Sequence, residues 1–296
     1  MSRMGDVLAG FHTVWEFDTD SVLIRFERGI RTPKLLQALG ERRIPYEALA
    51  AVELAPGRRG TVVLRAVPRP GADPLMEAAD GQLKEGCDPY RLVLPAEREV
   101  LAEYYADEMR ALLGPDAGLP AEEHLVAAPA PPRAFKAYDG KASFDGEAVT
   151  FRWFWTGASS TKWKAGDQRF AVQELSGVEW RSPEVFAGHL RLLDRAGADR
   201  PGEADQDPAA VVFGMGYGLV HESLPFAAAV LAAVRSAGPT LPALPRQQPS
   251  ARVSAPARRD AADIADRIRQ LGELHTAGLL TDDEFSTKKA ELLAEL

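Results

Sequence analysis

The chain repeats itself. "FDTDSVLIRF" (17–26) lies over "FDGEAVTFRW" (144–153) at an offset of 127 residues. "ERRIPYEALAAVE" (41–53) lies over "DQRFAVQELSGVE" (167–179) at 126, and "TVVLR" (61–65) over "GHLRL" (188–192) at 127. "DPYRLVL" (88–94) matches "DPAAVVF" (207–213) at 119, so a loop before that point differs in length between the copies. Order and spacing that persist over so much chain mark a tandem duplication, and a duplicated unit is one fold met twice. Whatever one copy builds, the other must build from the same pattern.

Each copy reads as mostly β. In "SVLIRFER", Val22, Ile24 and Phe26 alternate with Leu23, Arg25 and Glu27, the period of a strand with one face inward. Asp-Thr-Asp and Asp-Gly-Glu before the matched strands carry turn chemistry, so each copy opens with a hairpin. Pro45 cannot donate to a ladder and marks an edge or a break. A helix closes each copy. In "AEREVLAEYYADEMRALL" the broad apolar face is Val100, Leu101, Tyr104, Tyr105, Met109, Leu112 and Leu113, and "ESLPFAAAVLAAVR" does the same for the second copy. The expected fold class is α+β, with two tandem β-rich barrel or sandwich repeats, each capped by its C-terminal helix. The first repeat spans 1–113 and the second 135–235, with a linker over 114–134. A Pro/Arg-rich disordered linker follows over 236–260, where polyproline II would extend at roughly 3.1 Å per residue.

The last segment, 261–296, reads as a short α-helical hairpin. Ile264, Ile268, Leu271 and Leu274 form one stripe of a helix that Gly278 would end. Thr281 and Glu284 make a capping box, with Leu280 and Phe285 as the hydrophobic staple around it. Asp282 and Asp283 fall where the helix dipole favours negative charge. The second helix turns Phe285, Leu292, Leu293 and Leu296 inward. A unit this small cannot offset ordering costs of about 1.5 kcal/mol per residue from its own contacts. Its stripe is therefore an interface that needs another copy, the repeats or a protein partner to cover it.

The "AGLLTDDEF" turn and "KKAELL", with Leu271 and Leu274 before them, resemble the SHOCT domain found at the C-terminus of many bacterial proteins. The two repeats resemble the bacterial domain-of-unknown-function family 4429. "IPYEALAAVE" and "FAVQELSGVE" are similar to the third-strand region of pleckstrin-homology-like (PH-like) domains. These resemblances imply a seven-stranded, helix-capped PH-like core and an oligomerising or docking tail, and they imply no reaction.

Composition narrows the function classes. A net charge of −8 argues against general affinity for nucleic acid, so no specific nucleic acid is expected. The single cysteine, Cys87, allows no disulfide framework and no thiolate metal site. The five histidines, at 12, 124, 189, 221 and 275, show no metal-ligand spacing. "MSRMGDVLAG" lacks a signal peptide's apolar core, and "LPFAAAVLAAV" is too short to span a bilayer, so the expected location is the cytoplasm. No cofactor is expected.

Four features compete as sites. "VVFGMGYGLVHES" places Gly214, Gly216 and Gly218 between a strand and a helix, but G-x-G-x-G is not the dinucleotide spacing. The bland reading is a flexible strand end, and the rival one is a small-ligand sensor or enzyme. "FRWFWTGASSTKWKAG" alternates Phe151, Trp153 and Trp155 onto one face of a core strand, and then offers Lys162, Trp163 and Lys164 in a loop. Arg31 and Lys34 occupy the related loop of copy one. Those four cations, with Trp163 as an aromatic contact, would give weak anionic-membrane binding at about 1 kcal/mol per charge, placing the protein at the inner face of the membrane. The acidic stretch 194–207 lacks calcium-loop spacing and reads as a solvated insertion. The spaced arginines of 246–259 read as solubilising a linker. With no Ser/His/Asp constellation in view, the expectation is a non-enzymatic binding or scaffolding protein. It would present two modules and form a homo-oligomer, or take a protein partner, through its hairpin.

Overall fold

The structure is a computed structural model that describes residues 6–195 and 202–238. Both repeats fall within one compact unit. The Pro/Arg-rich segment beyond 238 and all nine apolar positions of the hairpin (Ile264, Ile268, Leu271, Leu274, Leu280, Phe285, Leu292, Leu293 and Leu296) lie outside the described residues.

The first repeat runs β1 (Asp6–Ala9), β2 (Thr13–Phe17), β3 (Ser21–Phe26), α1 (Lys34–Leu39), β4 (Glu41–Pro45), β5 (Leu49–Pro56) and β6 (Thr61–Pro68). It continues through α2 (Pro74–Ala79) and β7 (Arg91–Pro95) to α3 (Glu99–Ala111). The second runs β8 (Arg133–Lys136), β9 (Gly140–Phe144), β10 (Ala148–Trp153), α4 (Ser160–Ala165), β11 (Gln168–Ala171) and β12 (Leu175–Arg181). β13 (His189–Asp194), β14 (Ala210–Val212) and α5 (Val220–Ser236) complete it. Each repeat holds a four-stranded antiparallel sheet, β1-β2-β3-β4 or β8-β9-β10-β11, and a three-stranded one, β5-β6-β7 or β12-β13-β14. The architecture is α+β with two tandem repeats.

The duplication persists in detail. A 3-10 turn follows the fourth strand at Tyr46–Ala48 and again at Val172–Glu174. A register shift interrupts the β5–β6 pairing at Leu49/Ala51 and the β12–β13 pairing at Leu175/Gly177. Asp88 and Asp207 each accept from the backbone N–H two residues on, at 2.9 Å, as the chain enters the last strand. Pro45 ends β4, an edge strand, where no ladder bond is lost. One alignment changes by a residue. Leu64 pairs with Leu54 and Leu190 with Trp180, so β6 and β13 correspond at 126.

The closing helices differ from the expected pattern. α3 turns Ala102, Ala106 and Met109 inward and leaves Val100, Leu101, Tyr104 and Leu112 exposed. Alanines at i and i+4 let the helix settle on β5 and β6 with Met109 filling the core at i+7, while Tyr105 stacks on Phe17 with ring centroids 4.3 Å apart. α5 is apolar almost all round, the signature of a helix covered on more than one side. It packs on β12 and β8 of its own repeat, and on α1 and α2 of the first. Leu35, Leu75, Ala78 and Ala79 thereby join Phe135, Trp180, Phe226 and Val230 in one hydrophobic core.

Polar contacts close the same seam. Gln82 donates to the Trp180 carbonyl and accepts from the Ser182 N–H, both at 2.9 Å. Arg235 donates to the Gly71 carbonyl at 2.7 Å, and Lys84 pairs with Glu184 at 2.7 Å. The segment expected as a free linker, 114–134, is in part a strap. Ala121 and Val126 are buried in the first core, and their N–H groups donate to the carbonyls of Pro70 and Ala72.

Because one core spans both repeats, they should unfold as one. Leu75→Ala is expected to cost ~2–5 kcal/mol and to lower a single calorimetric transition. Two resolved transitions, of which only one moves, would refute the shared core.

Candidate functional site

Lys162, Trp163 and Lys164, expected in a loop, lie in the helix α4 (Ser160–Ala165). Ser159 caps α4 by accepting from the Lys162 N–H, and Ser159 Oγ donates to the Asp205 carbonyl at 2.7 Å. Thr161 Oγ1 donates to Gln206 Oε1 at 2.9 Å, fixing α4 against the 203–206 segment.

Lys162, expected as an anion contact, is fully buried. Its ammonium pairs with Asp139 and sits 5.0 Å from the Trp153 ring centroid, a cation–π contact inside the second repeat. Asp139 also accepts from the Val212 N–H at 2.9 Å. Burial pulls the Lys162 pKa down despite Asp139, and burial pushes the Asp139 pKa up despite Lys162. For both partners desolvation outweighs the attraction, as is common for ion pairs taken out of water. The reading of Lys162 as a membrane or ligand contact is therefore withdrawn: the helical turn aims it inward, where it is already neutralised.

Of the other three cations, Arg31 and Lys34 lie exposed at the start of α1, and Lys164 lies exposed on α4. Trp163 is half exposed and meets Trp155 edge-on at 5.6 Å. Trp155 lies beyond the end of β10, so the expected three-residue alternation stops at Trp153.

A second buried charge cluster holds α2. Asp73 caps that helix, accepting from the Leu75 N–H at 2.8 Å, and pairs with Arg42 of β4 at 2.7 Å. The Tyr90 hydroxyl donates to Asp73 and accepts from Arg42 Nε. Burial pulls the Arg42 pKa down, but Tyr90 and Asp73 together outweigh it and leave the guanidinium firmly charged. Cys87 is half-buried, and burial pushes its pKa up, away from the reactive thiolate. Among the described residues, no group of three or more His, Cys, Asp or Glu side chains is arranged to hold a metal ion. Among them too, no helix is long and apolar enough to cross a membrane.

The glycine run forms a tight turn. Tyr217 N–H bonds to the Gly214 carbonyl at 3.0 Å, with Met215 and Gly216 between them. Gly216 has φ +82°, the third-position requirement of a type II turn. Gly218, at φ +65°, leaves no room for a Cβ, which would fall 2.1 Å from the Phe213 ring. Backbone geometry thus accounts for the spacing that looked like a phosphate loop.

Beside this turn lies a cleft of about 600 Å³. Arg133, Phe135 and Lys136 of β8, Lys141 of β9, Gly216, Tyr217, and His221 and Glu222 from the first turn of α5 line it. The Gly218 N–H donates to the Lys136 carbonyl at 2.8 Å, tying the glycine turn to β8. Tyr138 and Tyr217 meet edge-on at 6.4 Å beside it. None of the three cations here was among the residues singled out from sequence. The signal was the Asp139-Gly140 turn dipeptide, which closes a hairpin with Lys136 and Lys141 on its two arms.

Lys162→Met should strand the Asp139 carboxyl and cost ~3–5 kcal/mol. Lys162→Met combined with Asp139→Asn should recover part of that loss in denaturant titrations. A single variant as stable as the parent would mean the pair is not buried.

A family model described as Domain of unknown function (DUF4429) matches residues 15–110 and 142–231, more than half of the chain. A second, described as Short C-terminal domain (SHOCT), matches residues 266–293. No curated protein matches the chain.

Proposed function

Because the chain belongs to the DUF4429 family, with two copies of its repeat and a SHOCT match behind them, we propose that it is a non-enzymatic scaffolding protein. The hairpin segment brings copies of the chain together, and the two-repeat body is the part displayed. The carrying observation is the shared core: α5 buries its apolar surface in both repeats, so the pair is displayed as one module rather than as two independent beads. We read each repeat as PH-like. Seven strands in a four-stranded and a three-stranded antiparallel sheet, followed by one helix, support that reading.

The apolar spacing of 264–296 supports the assembly step, since a stripe of nine large apolar residues in so short a segment needs a covering surface. Copies held together gain avidity at every weak contact the bodies make, by factors of about 10²–10⁴ when the geometry allows simultaneous engagement.

Light scattering after size-exclusion chromatography tests this directly. The full chain is expected to be oligomeric and a chain ending at Arg259 monomeric. Two monomers would overturn self-association and leave a heterologous protein as the hairpin's partner.

A further inference from the structure

β8 is an edge strand, and the register of its hairpin with β9 sets Lys136 directly opposite Lys141. Like charges facing each other across a strand pair oppose pairing. Neither ammonium forms an ion pair among the described residues, and the same is true of Arg133, three positions back along β8 and on the face of Phe135. Arg133 Nε is buried and makes no hydrogen bond among the described residues. All three cations line the cleft described above, against one carboxylate, Glu222. The first turn of α5 adds backbone N–H groups with no side-chain cap, at the positive end of a 17-residue helix.

The first repeat shows that the fold does not require these charges. Its hairpin register places Asp6, Ala9 and Val14 where the second repeat has Arg133, Lys136 and Lys141. There Ala9 faces Val14, an ordinary apolar cross-strand pair. The same backbone thus carries a neutral pair in one copy and a repelling one in the other. A repulsion that one copy avoids, with a buried guanidinium nitrogen without an acceptor lining the same cleft, makes this surface favourable for an anion.

We propose that the cleft between the β8–β9 hairpin and the Gly214–Gly218 turn binds a phosphate-bearing ligand, with Arg133, Lys136 and Lys141 as its cationic contacts. The site belongs to the second repeat alone, and the inference goes beyond the assembly reading without depending on it. A guanidinium and two ammonium groups suit a multiply charged oxyanion. The volume admits a phosphorylated small molecule or a phospholipid headgroup, and Met215, fully exposed at the tip of the adjoining turn, would face the acyl region in the second case.

The experiment uses the full chain and Lys136→Ala/Lys141→Val, which installs the pair the first repeat already carries. Lys164→Glu serves as a control cation outside the cleft. The free-phosphate probe is inorganic pyrophosphate, followed by calorimetry. The headgroup probe is co-sedimentation with vesicles of phosphatidylglycerol and phosphatidylcholine, against phosphatidylcholine alone.

At least about tenfold weaker binding in the double variant is expected, with Lys164→Glu close to the parent. The unliganded double variant should also melt higher, because the cross-strand repulsion is gone. Loss confined to pyrophosphate assigns a soluble phosphate, and loss confined to anionic vesicles assigns a headgroup; either supports the site. The proposal is overturned if the parent binds neither probe or if the double variant binds as well as the parent. An equal loss in Lys164→Glu also overturns it, since that reports only general charge attraction.

Discussion

One buried carboxylate positions the surface on which the two repeats meet. Asp73 takes hydrogen bonds from Arg42, from Tyr90 and from the Leu75 N–H at the start of α2. A short helix has little stability of its own. With its N-terminus pinned to β4 through Arg42, α2 can present Leu75, Ala78 and Ala79 as a fixed ridge. α5 packs against that ridge, and the second core is completed by residues of the first repeat. Interior packing is close enough that a shift of this helix would be felt across the seam. The Asp73 cluster therefore acts at a distance: its hydrogen bonds join first-repeat residues, and through α2 it positions the residues that meet the second repeat.

The two copies bury charge differently on one backbone plan. Lys162 corresponds to Leu36, and Asp139 to His12, so the second repeat holds an ion pair where the first has an apolar side chain and a partly exposed imidazole. The first repeat instead places its buried pair at Arg42 and Asp73, where it holds a helix in position. Replacing a buried ion pair by apolar groups is often neutral or stabilising. A pair that costs solvation is retained where it orders something. Asp139 does so by accepting the Val212 N–H and tying β14 to the β8–β9 turn.

Much of the fold was legible because a duplicated pattern reports the same strand twice. The turns, the edge position of Pro45 and the two closing helices could all be read from period and punctuation. Three things could not. The buried face of α3 is Ala102, Ala106 and Met109; alanines carry little hydrophobic signal beside Val100 and Tyr104, so the pattern found Met109, Tyr105 and Leu113 but added four exposed residues to them. Lys162 lies next to Trp163 and Lys164 in the chain, and nothing local says that its side chain finds Asp139, 23 residues away. The cationic cleft draws on residues some 90 positions apart, and Arg133 falls in the stretch 114–134, whose composition reads as a linker. The all-round apolar character of α5 was visible, and it implied a second surface to cover that helix.

α2 belongs to the first repeat. Between β13 and β14 no helix is found among the described residues, and the position matching Leu35 is Thr161, hydrogen-bonded to Gln206. The contact between the repeats is head-to-tail: one copy lends a helix, the other a receiving ridge. Such a contact between identical units has no reason to stop and generates a filament unless its rotation closes a ring. Among the described residues, the second unit sets Thr161 and the polar segment 202–206 where the first sets that ridge, a poorer seat for an apolar helix. Divergence between the copies at that one surface suits the contact to a pair rather than to a run of identical units.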